Sequence, residues 1–129
     1  MTTREKVNAP GAPAAIGPYA QAVKAGGLLF CSGQIPLDPA TGEIVGDTPG
    51  AQARRCLENL EAVCDAAGTS LAAAVKVTIY LVDMAAFGEV NAIYAGFFPN
   101  DPPARVAIAV AALPRKAQVE IDAVVALAD

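Results

Sequence analysis

The stretch from Pro49 to Gly68 constrains the fold more than any other part of the chain. At about 100° per residue, Ala53, Cys56, Leu57, Leu60, Val63, Cys64 and Ala67 fall on one arc of about 120°, while Arg54, Arg55, Glu58, Glu61 and Asp65 fall outside it. This is an amphipathic helix with a single apolar face, so the rest of the chain must supply a layer for that face to cover. Asp47 or Thr48 is placed to cap it, Pro49 suits its first position and Gly68 its end.

The layer is legible as strands. Val75 to Leu81 alternates with period two and is rich in β-branched residues, as expected of a half-buried strand. Ala104 to Val110 and Ala117 to Ala126 read as two more. Nearer the N-terminus, a loop of prolines and glycines from Asn8 to Pro18 delivers Tyr19 to a short strand, Ala20 to Lys24. The Gly26-Gly27 turn then leads to the apolar strand Leu28 to Ser32, a hairpin signal. After the turn Asp38 to Gly42, a brief strand is expected over Glu43 to Val45. A second helix is expected after the cap Asp83, with Phe87, Val90, Tyr94, Phe97 and Phe98 as its apolar stripe and Pro99 as its stop. Two amphipathic helices and several strands predict an α+β fold, a single sheet with both helices on one face. The other sheet face must then meet solvent or another subunit.

Composition bears on that choice. The 129 residues make one domain spanning 1–129, with 54% hydrophobic and 17% charged residues. Ordinary domains have about 45–50% apolar, glycine included, and about 25% charged. The surplus of apolar surface favours an oligomer, although the many alanines inflate it. A net charge of −4 without a basic cluster longer than Arg54-Arg55 or Arg115-Lys116 gives no footprint for nucleic acid. No stretch approaches the ~20 apolar residues of a membrane span, and the N-terminus is not a leader, so the expected location is cytoplasmic.

The chain contains no histidine, and its three cysteines, Cys31, Cys56 and Cys64, form no C-x-x-C pair. A Ser-His or Cys-His catalytic pair is thereby excluded, and no metal site is expected. All three thiols fall in apolar faces and read as small core residues. Chemistry must rest on Arg, Lys, carboxylates, Tyr, amides or the backbone.

Arg105 is the first candidate. Within its strand it shares a face with Ala107 and Ala109, which leaves room beside a planar guanidinium suited to bidentate binding of a carboxylate. A solvated or structurally paired arginine is the plainer reading. Glu120 is the second, with Gln118 and Asp122 opposite the apolar Val119, Ile121, Ala123 and Val125. A hairpin centred near Ala112-Leu113 would bring Glu120 opposite Arg105, although an ordinary ion pair or an exposed carboxylate would look the same. Asn91 lies at the edge of the second helix's apolar stripe, where it can meet a ligand or bond to backbone. Tyr19 is a lid or packing phenol on a mobile loop, and Ser32-Gly33-Gln34 ends a strand where the glycine permits close backbone approach.

The chain resembles the RidA (YjgF) family of reactive-intermediate deaminases over nearly its whole length. The resemblance is carried by Asn8-Ala-Pro, Ile16-Gly17-Pro18-Tyr19, Ser32-Gly33-Gln34-Ile35-Pro36, Gln52-Ala53-Arg54 with Leu57-Glu58-Asn59, Val90-Asn91-Ala92-Ile93-Tyr94 with Phe97-Phe98, Pro103-Ala104-Arg105, and Leu113-Pro114 through Val119-Glu120-Ile121. It implies a chorismate-mutase-like α+β fold assembled as a homotrimer with clefts between neighbouring subunits. The strand Val75 to Leu81 then lies between the two C-terminal strands, which displaces the local hairpin. It further implies that Arg105 anchors a substrate carboxylate, that Glu120 positions or activates water, and that Tyr19, Ser32, Gly33 and Asn91 line the cleft. Many relatives have cysteine where this chain has Ala107; a thiol role there is lost, and the backbone N–H of Ala107 remains available to the substrate. The implied reaction is hydrolysis of 2-imino and enamine acids, such as 2-iminopropanoate or 2-iminobutanoate, to 2-keto acids and ammonia, with no cofactor. A trimer that only binds or senses small carboxylates is the alternative. RNA cleavage, also attached to the family, fits poorly with the acidic charge and missing histidines.

Overall fold

The computed structural model describes residues 3–128. Its six strands are β1 (Glu5–Val7), β2 (Ala22–Ala25), β3 (Leu28–Gln34), β4 (Ala74–Leu81), β5 (Ala104–Ala109) and β6 (Val119–Ala126), and its helices are α1 (Pro49–Ala67) and α2 (Phe87–Phe97). They form one mixed sheet in the order β1-β2-β3-β6-β4-β5. All pairs are antiparallel except β4 with β5. Among the described residues no helix is long and apolar enough to cross a membrane.

α1 follows its sequence signals closely. Thr48 accepts from the Ala51 N–H at 3.1 Å, Pro49 begins the helix, and Gly68 closes it in the left-handed conformation. Every residue of the predicted apolar arc is buried, against Leu29 and Cys31 of β3, Val77, Ile79 and Leu81 of β4, and Val119, Ile121, Ala123 and Val125 of β6. α2 packs beside α1, so both helices cover one sheet face. Asp83 caps a short 3-10 turn, Met84–Ala86, that runs into α2 rather than capping α2 itself.

Three local expectations change. The expected strand over Glu43 to Val45 reduces to an isolated bridge between Leu37 and Ile44, because the segment is too short to build a ladder. β1, a three-residue strand pairing Glu5 with Lys24, had no alternation long enough to be read. The Gly26-Gly27 turn holds with φ of 59° and 79°, and β2 and β3 are each shifted or extended by one or two residues beyond their predicted ends.

Among the described residues nothing covers the opposite sheet face. It carries Phe30, Val106 and Ile108, which are 47%, 41% and 47% exposed, together with Tyr80, Glu120 and Asp122. Large apolar side chains on an open face are what the composition anticipated.

Candidate active site

The strand order settles where Arg105 and Glu120 stand. β4 separates β5 from β6, so the local hairpin reading, which set the two residues opposite each other, is wrong, while the order implied by the family resemblance holds. In register, Arg105 pairs with the fully buried Val77, and Glu120 pairs with Tyr80. Partners in register share a face, so Arg105 points to the helix side and Glu120 to the open side. The apolar even positions of β5, Val106 and Ile108, are the ones that face outward.

On the helix side, Arg105 does not stand in open space beside alanines. Its Nη1 donates to Asn91 Oδ1 at 2.6 Å, and its Cζ lies 4.9 Å from the Tyr94 ring centre and 5.3 Å from that of Phe87. All three partners come from α2. Burial holds the Tyr94 phenol above its ordinary pKa, with Arg105 pulling in the other direction. Ala107 follows on the same face, half-buried against the core, on the strand at one edge of the sheet.

On the open side, Tyr19, Ser32, Gly33 and Glu120 line one cleft of about 470 Å³, with Ile16, Ile35, Leu37 and Pro114 as its apolar walls. The pairing of β3 with β6 shifts between Cys31 and Gln34, a bulge at which Gly33 lies against Glu120. Gly33 sits so close to the Glu120 carboxyl that a Cβ there would collide with it, which explains the glycine. Ser32 Oγ donates to the Ala20 carbonyl at 2.6 Å, tying β3 to the segment that carries Tyr19. Tyr19 itself is 52% exposed at the cleft rim.

Partial burial, and then the neighbouring charge of Asp122, push the Glu120 carboxyl above its ordinary pKa. Asp122 in turn accepts a hydrogen bond from Tyr80 at 2.9 Å. Among the described residues Glu120 has no salt-bridge partner. No group of three or more His, Cys, Asp or Glu residues is placed to hold a metal ion among those residues.

Several positioning residues carried no local signal. Gln21 accepts from the Ala9 N–H at 2.7 Å and donates to the Ala9 and Pro13 carbonyls at 3.0 and 2.8 Å, holding the proline-glycine loop over the cleft. Asn59 donates to the Leu37 carbonyl at 3.0 Å, and Gln52 accepts from the Gln118 N–H at 2.8 Å, fixing the floor and the start of β6. Buried amides need such partners, but sequence does not say which. Arg115 also lines the cleft, in the left-handed conformation at φ 58°. The spacing Phe87, Asn91, Tyr94 was visible, but it read as a core stripe with one polar edge.

One mixed six-stranded sheet with two helices on one face, a cleft on the other and an arginine on the helix side define a small α+β domain. Residues 9–127 match the family described as Endoribonuclease L-PSP, and the chain belongs to that family, whose members include the RutC and RidA proteins. It is 50% identical over 123 residues to a RutC family protein of Sinorhizobium fredii, covering 95% of this chain and 98% of that one. It is 45% identical to the 2-iminobutanoate/2-iminopropanoate deaminase of Mus musculus, covering 94% of this chain and 90% of the mouse protein. The crystal structure of RidA from an Antarctic Psychrobacter superposes with a TM-score of 0.91 at 39% identity, covering 95% of this chain and 99% of that one.

Proposed function

We propose that the protein hydrolyses reactive 2-imino and enamine acids, such as 2-iminopropanoate and 2-iminobutanoate, to 2-keto acids and ammonia. The observation that carries this reading is Glu120: a carboxylate set against Gly33 in an apolar cleft, with no salt-bridge partner among the described residues. Likeness to a protein named as a deaminase at 45% identity supports it.

The chemistry asks little of the protein. Water adds to the C=N carbon while Glu120 takes one of its protons and then returns it to the nitrogen; in the carbinolamine so formed the C–N bond breaks as the hydroxyl proton passes to the nitrogen, leaving the 2-keto acid and ammonia. General-base help of this kind contributes roughly 10²–10⁴-fold. Arg105 binds the carboxylate through the donors that Asn91 leaves free, with the Ala107 N–H beside it, and so orients the imine. Tyr19, Ser32 and Gly33 shape the pocket around the water and the leaving nitrogen.

Arg105 and Glu120 serve one substrate only if they come from different copies. The proposal therefore includes a homotrimer in which the helix-side Arg105 edge of one subunit meets the open-face cleft of the next, covering Phe30, Val106 and Ile108. No nucleic acid or membrane partner is part of this reading, and the protein acts in the cytoplasm.

The test generates imines in situ with an amino-acid oxidase and follows 2-keto acid release with and without the protein. Acceleration is expected. Saturable binding of 2-keto acids without acceleration of any imine would replace the enzyme with a carboxylate sensor.

A further inference from the structure

We infer that Phe87, Asn91 and Tyr94 form a clamp on α2 that sets the plane of the Arg105 guanidinium without neutralising its charge. Phe87 and Tyr94 are then positioning residues for the carboxylate anchor, and Asn91 acts through Arg105 rather than on the ligand. The inference rests on the reading of Arg105 as that anchor.

The spacing comes first. Positions 87, 91 and 94 are four and three apart, so they form one stripe along a helix. The stripe meets Arg105 in three ways. Two aromatic rings lie within cation–π reach, at 4.9 and 5.3 Å from Cζ, and the Asn91 amide oxygen takes Nη1 at 2.6 Å.

The chemical character of these contacts matters more than their number. Two aromatic rings and a neutral amide fix a guanidinium, but none of them carries a negative charge. A structural arginine on a strand is ordinarily settled by a carboxylate, and among the described residues Arg105 has no salt bridge. The side chain is exposed on an edge strand, where its rotatable bonds would otherwise leave the guanidinium plane undefined. The clamp removes that freedom and leaves the full charge and the remaining donors for a ligand.

The clamp is itself rigid. Tyr94 is only 4% exposed, and its ring packs against Phe98 at 4.7 Å, so the stacking surface is part of the core. Phe87 is half-buried and packed against the same core cluster. The orientation of an exposed cation is thus inherited from buried packing.

The clamp predicts a separation between binding and turnover. Losing a ring keeps the charge but frees the plane, so affinity for a simple carboxylate should hold while orientation for attack should fail. In Tyr94→Leu and Phe87→Leu, the Kd for pyruvate should change by less than about threefold. kcat for imines derived from alanine should fall roughly 10- to 100-fold. Tyr94→Phe, which keeps the ring, should behave as wild type. Independently of catalysis, nitrogen-15 spectra of the arginine side chains should show Arg105 Nε–Hε shifted by ring currents in the free protein, and Phe87→Leu or Tyr94→Leu should move that resonance toward those of the other arginines. If Tyr94→Leu does not fold, Phe87→Leu decides. An Arg105 resonance unchanged by loss of a ring, or kcat unchanged in folded variants, overturns the clamp. If the wild-type protein hydrolyses no imine, the deaminase reading fails, and the spectra alone decide for or against the clamp.

Discussion

Arg105 and Glu120 project from opposite faces of one sheet, because β5 runs parallel to β4 with Arg105 beside Val77, whereas β6 runs antiparallel to it with Glu120 beside Tyr80. No side-chain rotation brings them together within one protomer. If both act on one substrate, they must do so across a subunit boundary.

That geometry makes a complementation test decisive. Arg105→Ala and Glu120→Gln should each retain at most a few per cent of wild-type activity alone. Unfolded together in equal amounts and refolded, they should regain roughly a quarter of the wild-type sites, since random assortment gives one cleft in about four an intact Arg105 from one copy and an intact Glu120 from another. Refolded mixtures no more active than the single variants would mean that Arg105 and Glu120 do not act together on one substrate across a subunit boundary.

Arg105 should tolerate no conservative replacement. Lysine keeps the charge but loses the planar fork that lies within cation–π reach of Phe87 and Tyr94, so Arg105→Lys should not rescue turnover. Arg105→Ala should lower kcat/KM by roughly 30-fold to several thousand-fold, measured with alanine-derived imine, with thermal stability near that of the wild type. Near-normal kcat/KM in Arg105→Ala would make the residue dispensable.

Glu120 links activity and stability with opposite signs. Turnover needs its ionised form, so kcat/KM should fall as pH drops through a value above the ordinary carboxyl range. Asp122→Asn, which removes one cause of the raised pKa, should move that limb to lower pH. For stability, a raised folded pKa favours the protonated fold, a contribution present below the ordinary carboxyl pKa and lost as pH rises through the raised one. Glu120→Gln should therefore abolish turnover while raising Tm at neutral pH; a lower Tm would mean that the charge is better accommodated than its surroundings suggest.

Gly33→Ala should separate the carboxylate's placement from the integrity of the fold. The added methyl collides with the Glu120 carboxyl, whose flexible end can move aside, so the protein should fold while kcat drops. Wild-type kcat in Gly33→Ala would show that the position of this carboxyl is not critical.

The thiols should be silent in the native protein. Cys31, Cys56 and Cys64 are all buried; burial pushes the Cys56 thiol up, and in the neighbouring Cys31–Cys64 pair Cys31 is raised while Cys64 is lowered, so it is the complete burial of Cys64 that keeps it from a reagent. Iodoacetamide should give no adduct by mass spectrometry on native protein over a time that yields three after denaturation, and turnover should persist. A native adduct that abolishes activity would contradict this.

Much of the architecture was determined by the sequence itself. The arc from Ala53 to Ala67, the alternation of β4 and β6 and the punctuation by Thr48, Pro49 and Gly68 are local patterns whose periods, 3.6 and 2, follow from backbone geometry, and the elements they predict are present. The motif strings anticipated the strand order. Tertiary structure alone decided the rest. Which face of β5 turns to the helices depends on its register with β4, a contact between segments separated by α2, and that register leaves the apolar Val106 and Ile108 on the open face. The partners of Arg105, the bulge that sets Gly33 over Glu120, and the grip of Gln21 on the loop above the cleft all join residues distant in the chain or in different elements. Periodicity gives each residue a side of its own element; only packing says what that side meets.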